Sequence, residues 1–252
     1  MMSDPVAPYL SVVIPAYNEA KRIGPSLARV LDYLQAQTYS AEVVVVDDGS
    51  TDDTVNVVEA QARIAPLPLR VLRNEGNRGK GYSVRHGMMA SSGQHALFSD
   101  ADLSTPIEEL ERLLAPIQAG EAEIAIASRG LAESVLEKRQ PIYRELMGRT
   151  FNKIVRVLAV PGIADTQCGF KLFTRQAVEL VFPYQCTEGF GFDVELLFLA
   201  RRRGLRIAEI PVHWVDSPAS KVHPLKDATG MFLDVLRVRT NTWRGRYREK
   251  RA

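Results

Sequence analysis

Glu42-Val43-Val44-Val45-Val46-Asp47-Asp48-Gly49-Ser50 (residues 42–50) decides the fold class. Four consecutive valines carry no polar alternation, as expected for a strand covered on both faces. The run ends abruptly in two aspartates, a glycine and a serine, which read as a turn at a strand end. Outward from it, short β-branched runs recur at 10–14 (LSVVI), 69–73 (LRVLR), 95–99 (HALFS) and 122–128 (AEIAIAS), with the central one at 42–47. Between them the apolar spacing changes to three and four, so that Ile23, Leu27, Val30, Leu31 and Leu34 share one helix face. Strand, helix and strand alternating through short connections imply right-handed crossovers and a mostly parallel, Rossmann-like α/β sheet flanked by helices. After about residue 130, helical stretches at 141–160, 174–182, 193–204 and 225–243 enclose short apolar segments at 167–173 and 206–215.

Composition narrows the function classes. The chain has 252 residues, enough for one large α/β domain and short for two. Hydrophobic residues make up 46% and charged residues 25%, the composition of a packed globular chain. A formal charge of only +2 argues against a nucleic-acid binder. Two cysteines make neither a disulfide framework nor a four-cysteine zinc site, and Cys168 and Cys186 read as reduced and inert. No apolar run spans a bilayer and no signal peptide is readable, so a soluble, cytoplasmic protein is expected. The charge is uneven: residues 226–252 carry a net +5 and the preceding 225 a net −3. The expected organisation is therefore a catalytic domain over 1–225 and a basic amphipathic C-terminal helix or tail over 226–252.

In open α/β sheets ligands bind beyond the C-terminal ends of the strands, and acidic residues recur there. Strand 10–14 runs into Pro15-Ala16-Tyr17-Asn18-Glu19, strand 42–47 into Asp47-Asp48-Gly49-Ser50, and strand 95–99 into Asp100-Ala101-Asp102. If these strands are neighbours, their carboxylates line one edge. Asp100 and Asp102 suit a hard divalent cation, which takes one or two carboxylates plus substrate phosphates; turn formation before Thr105-Pro106 is the structural alternative. In the second turn, Ser50, Thr51 or Asp52 can cap a helix starting near Asp53, and Gly49 can supply a positive φ. Two adjacent aspartates need a further reason, and one of them can accept the ring N–H of a base such as uracil. Gly76-Asn77-Arg78-Gly79-Lys80-Gly81 fails both the Walker A and the dinucleotide patterns. It remains either a plain loop or a cradle for a diphosphate at the start of a helix over 81–91. The four histidines show no ligand spacing, and His213 reads as structural.

Together SVVIPAYNE, VVVVDDGSTDDT and SDADLSTP resemble the ordered signature of the family 2 inverting glycosyltransferases, which have the GT-A fold. NRGKGYSVRHGM, ADTQCGFKLF, GFGFDVELL and the Ser220-Lys221 pair are similar to the polyprenyl-phosphate sugar synthases. Among these the motifs look most like dolichyl-phosphate β-glucosyltransferases, with the mannose synthases as nearer cousins in chemistry. The likeness covers residues 10–225. It implies a nucleotide-sugar donor, UDP-glucose before GDP-mannose, a lipid-phosphate acceptor, and Mg²⁺ or Mn²⁺. It further implies that Pro15, Tyr17, Asn18 and Glu19 line the nucleotide pocket, Asp48 contacts the base and Lys80 lies by the diphosphate. Asp100 would contact nucleotide or metal and Asp102 the metal directly, with Ala101 between them. The mannose synthases often place Gln where this chain has Ser104, so the third protein ligand stays open. Arg129 would face the acceptor phosphate or the sugar, Gly169-Phe170-Lys171 would shape the sugar site, and Ser220 and Lys221 would close over the diphosphate.

Chemistry separates the remaining candidates. A lipid phosphate is already ionised at neutral pH, its second pKa being about 6, so it attacks without a general base. Asp193 and Glu195 are then either site residues or carboxylates complementing a helix N-terminus. Transfer to a soluble or saccharide hydroxyl would need one of them as base. A binding protein without turnover is the non-enzyme alternative, and the intact Asp48, Asp100, Asp102 and Lys221 argue against it. For a lipid acceptor, cations near the phosphate (Arg129, Arg139, Arg144) matter more. Segment 142–158 is amphipathic and basic, as a core helix or an interfacial one. The region 225–252 joins Trp243 and Tyr247 to six arginines and is expected to touch a membrane surface peripherally.

Overall fold

The computed structural model describes residues 7–137, 160–215 and 224–248. Seven strands form the central sheet: β1 (Leu10–Ala16), β2 (Ala41–Asp47), β3 (Leu69–Arg73), β4 (His95–Ser99), β5 (Ile124–Ser128), β7 (Phe170–Thr174) and β8 (Ile207–Pro211). Their order is β3-β2-β1-β4-β7-β5-β8. Every pairing is parallel except those of β7, which runs antiparallel between β4 and β5. A small parallel pair, β6 (Val135–Leu136) with β9 (His213–Trp214), stands apart from this sheet. There His213 bonds Glu137 at 3.0 Å, in keeping with a structural histidine.

The valine run explains the two-layer core. Val43 and Val45 face the layer that holds α1 (Ile23–Gln35), α2 (Thr54–Ile64) and α4 (Leu110–Gln118). Val44 and Val46 face the layer of α3 (Lys80–Ala90), α5 (Arg175–Val181) and α6 (Phe192–Arg202). All four are fully buried, each worth about 1.5–3 kcal/mol relative to exposure. The five apolar positions expected on one face of α1 are all buried. The expected helix at 141–160 falls almost wholly outside the described residues.

The C-terminal helix α7 (Pro224–Trp243) occupies most of the segment expected as a basic amphipathic helix or tail. Val235, Val238 and Tyr247 are buried in the same core layer as α6. Its opposite face exposes Leu233, Leu236 and Trp243, the last 83% exposed. Among the described residues no helix is long and apolar enough to cross a membrane.

Candidate active site

The order β2-β1-β4 places three strand ends side by side, and the carboxylates that follow them meet at one cavity of about 410 Å³. It is lined by Pro15, Ala16, Tyr17, Glu19, Arg22, Asp48, Asn77, Gly79, Lys80, Ser83, Asp100, Ala101, Asp102 and Phe190.

Each turn is fixed by local hydrogen bonds. After β1, Asn18 adopts a φ of 54°, and its side-chain oxygen accepts from the N–H groups of Thr51 (2.8 Å) and Asp52 (3.3 Å). After β2, Gly49 has a φ of 75°, and a Cβ there would lie 2.5 Å from the Gly76 carbonyl carbon, so only glycine fits. Asp52 accepts from the Thr54 N–H at 3.0 Å just before α2, whose N-cap is Asp53 and carries no side-chain cap bond, so none of Ser50, Thr51 and Asp52 is the cap. Asp48 is buried and accepts from the N–H groups of Arg78 (2.9 Å) and Gly79 (2.8 Å) and from the Asn74 amide (2.8 Å). The second aspartate of the pair thus folds the glycine loop back beneath the cavity. Two of these donors meet its Oδ1 and one its Oδ2, and the residue lines the cavity.

Lys80 opens α3 and reaches Asp100 at 2.6 Å. Burial pulls its ammonium down, but the charges of Asp100 and Asp193 outweigh that and hold it above the ordinary lysine range. Asp100 is seated by its own N–H on the Gly169 carbonyl (3.0 Å), and a Cβ on Gly169 would lie 2.1 Å from its Oδ2. Asp102 accepts from the Ser104 N–H at Oδ1 (3.1 Å) and faces Arg22 at Oδ2 (3.5 Å). Arg22 in turn grips Glu19 through two bonds of 2.7 Å. Gly169→Ala is therefore expected to push Asp100 aside. An ångström of misplacement can cost about a hundredfold, and kcat/KM in a transfer assay should fall by about that much. Activity within threefold of wild type would show that Asp100 tolerates displacement.

Four carboxylates (Glu19, Asp48, Asp100 and Asp102) face two cations (Arg22 and Lys80) in this lining. A pocket with that surplus repels a diphosphate unless a cation comes with it. Asp100 and Asp102 fit a hard divalent ion in number and donor type, with water and ligand oxygens completing its shell. Among the described residues no group of three or more His, Cys, Asp or Glu gathers as a metal site.

Several expected site residues stand elsewhere. Asn18 does not line the cavity; its amide holds the neighbouring turn. Phe170 is fully buried in the α1 layer, so it builds core rather than a sugar site. Lys171, on the other face of β7, is also fully buried and reaches Asp193 Oδ1 at 2.5 Å and the Cys168 carbonyl at 2.6 Å. Burial pushes the Asp193 carboxyl up against the pull of Lys171 and Lys80. Glu195 takes no part in the cavity either: it accepts from the N–H groups of Cys186 (3.0 Å) and Thr187 (2.7 Å) and from the Tyr247 hydroxyl (2.5 Å). Arg129 is clamped bidentately by Asp165 at 2.6 and 3.0 Å. Although burial opposes it, that guanidinium holds the Asp165 carboxyl down at about 2. Cys168 is free, its thiol pushed up to about 11 by burial, as expected of an inert cysteine. Ser220, Lys221, Arg139, Arg144 and all of segment 142–158 lie outside the described residues.

Sequence reasoning gave no site role to Arg22, Phe190 or Asp165 and gave Tyr247 only a membrane contact, while Asn77 lay inside the loop read as a possible diphosphate cradle. Arg22 carried a signal, standing three residues after Glu19 where a helix begins. The others depend on contacts between distant segments.

The model of the family "Glycosyl transferase family 2" matches residues 11–182. A human protein named dolichyl-phosphate beta-glucosyltransferase is 38% identical over 250 residues, covering 93% of this chain and 77% of its own. One of the same name from Dictyostelium discoideum is 36% identical, covering 92% and 74%. Glucosyl-3-phosphoglycerate synthase from Mycobacterium tuberculosis, solved with Mn²⁺, UDP and phosphoglyceric acid, superposes with a TM-score of 0.69 at 23% identity, over 97% of this chain and 80% of that one. At that identity the likeness carries the fold alone, and the fold is GT-A.

Proposed function

Because the chain belongs to glycosyl transferase family 2 and is a glycosyltransferase, we propose that it moves glucose from UDP-glucose to a polyprenyl phosphate of dolichyl type. The product would be the β-linked polyprenyl-phosphate glucose, by inversion at the anomeric carbon. The observation that carries this reading is the cavity at the β2, β1 and β4 ends, where Asp100, Asp102 and Lys80 converge in a lining with surplus negative charge. The names of the relatives support the sugar and the acceptor, and the neighbour solved with UDP and Mn²⁺ supports the donor class.

This chain's residues divide the work. Asp48 contacts the base. Lys80 presents its ammonium to the diphosphate, where negative charge grows as the glycosidic bond breaks; such electrostatic stabilisation is usually the largest catalytic term. Mg²⁺ or Mn²⁺ held by Asp100 and Asp102 would neutralise the same leaving group. The acceptor phosphate arrives ionised and attacks in line from the opposite side. With Asp193 committed to Lys171, and Glu195 to Tyr247 and two backbone N–H groups, neither serves as a general base. That favours an acceptor needing none over a saccharide hydroxyl.

The enzyme would meet its lipid peripherally, on an anionic membrane surface such as the cytoplasmic face. Leu233, Leu236 and Trp243 on the exposed side of α7 lie among Arg237, Arg239 and Arg244. Each basic residue near such a surface is worth about 1 kcal/mol, and tryptophan favours the interface. Trp243→Ala should reduce co-sedimentation with phosphatidylglycerol vesicles severalfold; unchanged sedimentation would remove α7 from the contact.

Labelled UDP-glucose with a short polyprenyl phosphate tests the function. Label is expected in the organic phase with Mg²⁺ or Mn²⁺ present and not after chelation, returning when the ion is restored. Full transfer in excess chelator would remove the cation from the reaction.

A further inference from the structure

The C-terminal helix does more than face outward. Its inner side touches the loop 185–191, and that loop builds one wall of the cavity through Phe190. Asp234 of α7 packs directly on this loop: a Cβ on Gly191 would fall 2.3 Å from the Asp234 Cβ, so the two segments meet at glycine distance. Just beyond α7, the Tyr247 hydroxyl donates to Glu195 Oε1 at 2.5 Å and accepts from the Asn241 amide at 3.3 Å. The other oxygen of Glu195 takes the N–H groups of Cys186 and Thr187. Glu195 therefore ties the end of the chain to the start of the loop.

The loop passes this restraint on to the phosphate-facing element. The Glu188 carbonyl accepts from the N–H groups of Gly81 (2.7 Å) and Tyr82 (3.2 Å) in the first turn of α3, next to Lys80. The Gln185 amide bridges the Gly81 and Thr187 carbonyls at 2.8 and 2.9 Å. Glycine is required at 79 and 81 because a Cβ would lie 2.5 Å from the Glu188 carbonyl oxygen and 2.6 Å from that of Thr187. A continuous set of contacts thus runs from Tyr247 and Asp234, through loop 185–191, to the residues flanking Lys80.

We propose that Tyr247, Glu195 and Asp234 are positioning residues for the nucleotide-sugar: the C-terminal segment braces loop 185–191 and thereby sets Phe190 and Lys80 for donor binding. This rests on the cavity being the donor site. The brace orders the free enzyme before the donor arrives, so its loss appears in donor affinity more than in turnover at saturating donor.

Titration calorimetry with UDP and Mn²⁺, beside steady-state transfer, tests it on the full chain. Tyr247→Phe removes one hydrogen bond to a buried carboxylate and is expected to weaken UDP binding about tenfold. KM for the donor should rise in step, with kcat changed less than about twofold. Glu195→Gln keeps an acceptor for the loop N–H groups and a polar partner for Tyr247, and should restore affinity to within about threefold of wild type. Asp234→Ala supplies the same test should Tyr247→Phe melt below the assay temperature. Tyr247→Phe or Asp234→Ala, folded and binding UDP as tightly as wild type, would overturn the brace. So would a fall in kcat with KM unchanged. Wild-type protein that binds no UDP with Mn²⁺ would instead overturn the donor reading.

Discussion

Asp102→Ala is expected to lower the rate of glucosyl transfer by about 10²–10³-fold, the usual loss when one preorganised electrostatic stabiliser of a transition state is removed. The reason is local. Asp102 sits at the rim where β4 ends, with Oδ1 steadied by the Ser104 N–H and Oδ2 turned toward Arg22 and the cavity. Among the described residues, Asp102 and Asp100 are the pair of carboxylates after β4 that suit a divalent ion there. Asp102→Asn keeps the Ser104 bond and removes the charge, and should lose nearly as much activity, which separates charge from turn geometry. Stability should hardly move in either variant, because a pair at 3.5 Å with both partners partly exposed contributes at most about 1 kcal/mol. Initial rates and thermal melts of the two variants check this. Transfer within tenfold of wild type in Asp102→Asn would remove the carboxylate from the reaction.

Lys171→Met should produce the largest stability loss. Lys171 and Asp193 are 2.5 Å apart with side chains 0% and 3% exposed. Removing the cation strands a buried carboxylate, which costs about 3–5 kcal/mol. For a chain of this size each kcal/mol moves the melting temperature by about 2–4 °C, so a fall of about 10 °C is expected. Lys171→Met with Asp193→Leu should recover most of it, since exchanging a whole buried pair for apolar groups is often neutral. Thermal unfolding of the single and double variants decides the matter. A single variant melting with wild type would mean that Asp193 finds its compensation elsewhere, Lys80 being the nearby cation.

Why some of this was legible in sequence and some was not follows from range. The strands around VVVV and the helical face of α1 are written in local spacing, and β3 and β4 fall at the expected bounds, 69–73 and 95–99. The acidic strand ends could be placed on one edge because a parallel sheet sends every such end the same way. The antiparallel turn of β7 was not readable, since its direction is set by what flanks it in space. β7 lies between β4 and β5, with Phe170 in the α1 layer and Lys171 on Asp193. Glu195 and Asp193 looked alike as acids opening a helix. Tyr247, 52 residues along the chain from Glu195, decides what Glu195 does. Asp48 shows the converse: two adjacent aspartates signalled a special turn, but the N–H groups of Arg78 and Gly79 that claim the second one come from another segment.

The central claim is transfer of glucose to a lipid phosphate, and one measurement addresses it most directly. Sugar-labelled UDP-glucose and GDP-mannose are each offered with Mg²⁺ and a short polyprenyl phosphate, beside a soluble saccharide acceptor and the Asp102→Ala control. The account predicts organic-extractable label from UDP-glucose alone, β-linked and lost in the control. Label from GDP-mannose only, or label passing to the saccharide and not to the lipid, would contradict it.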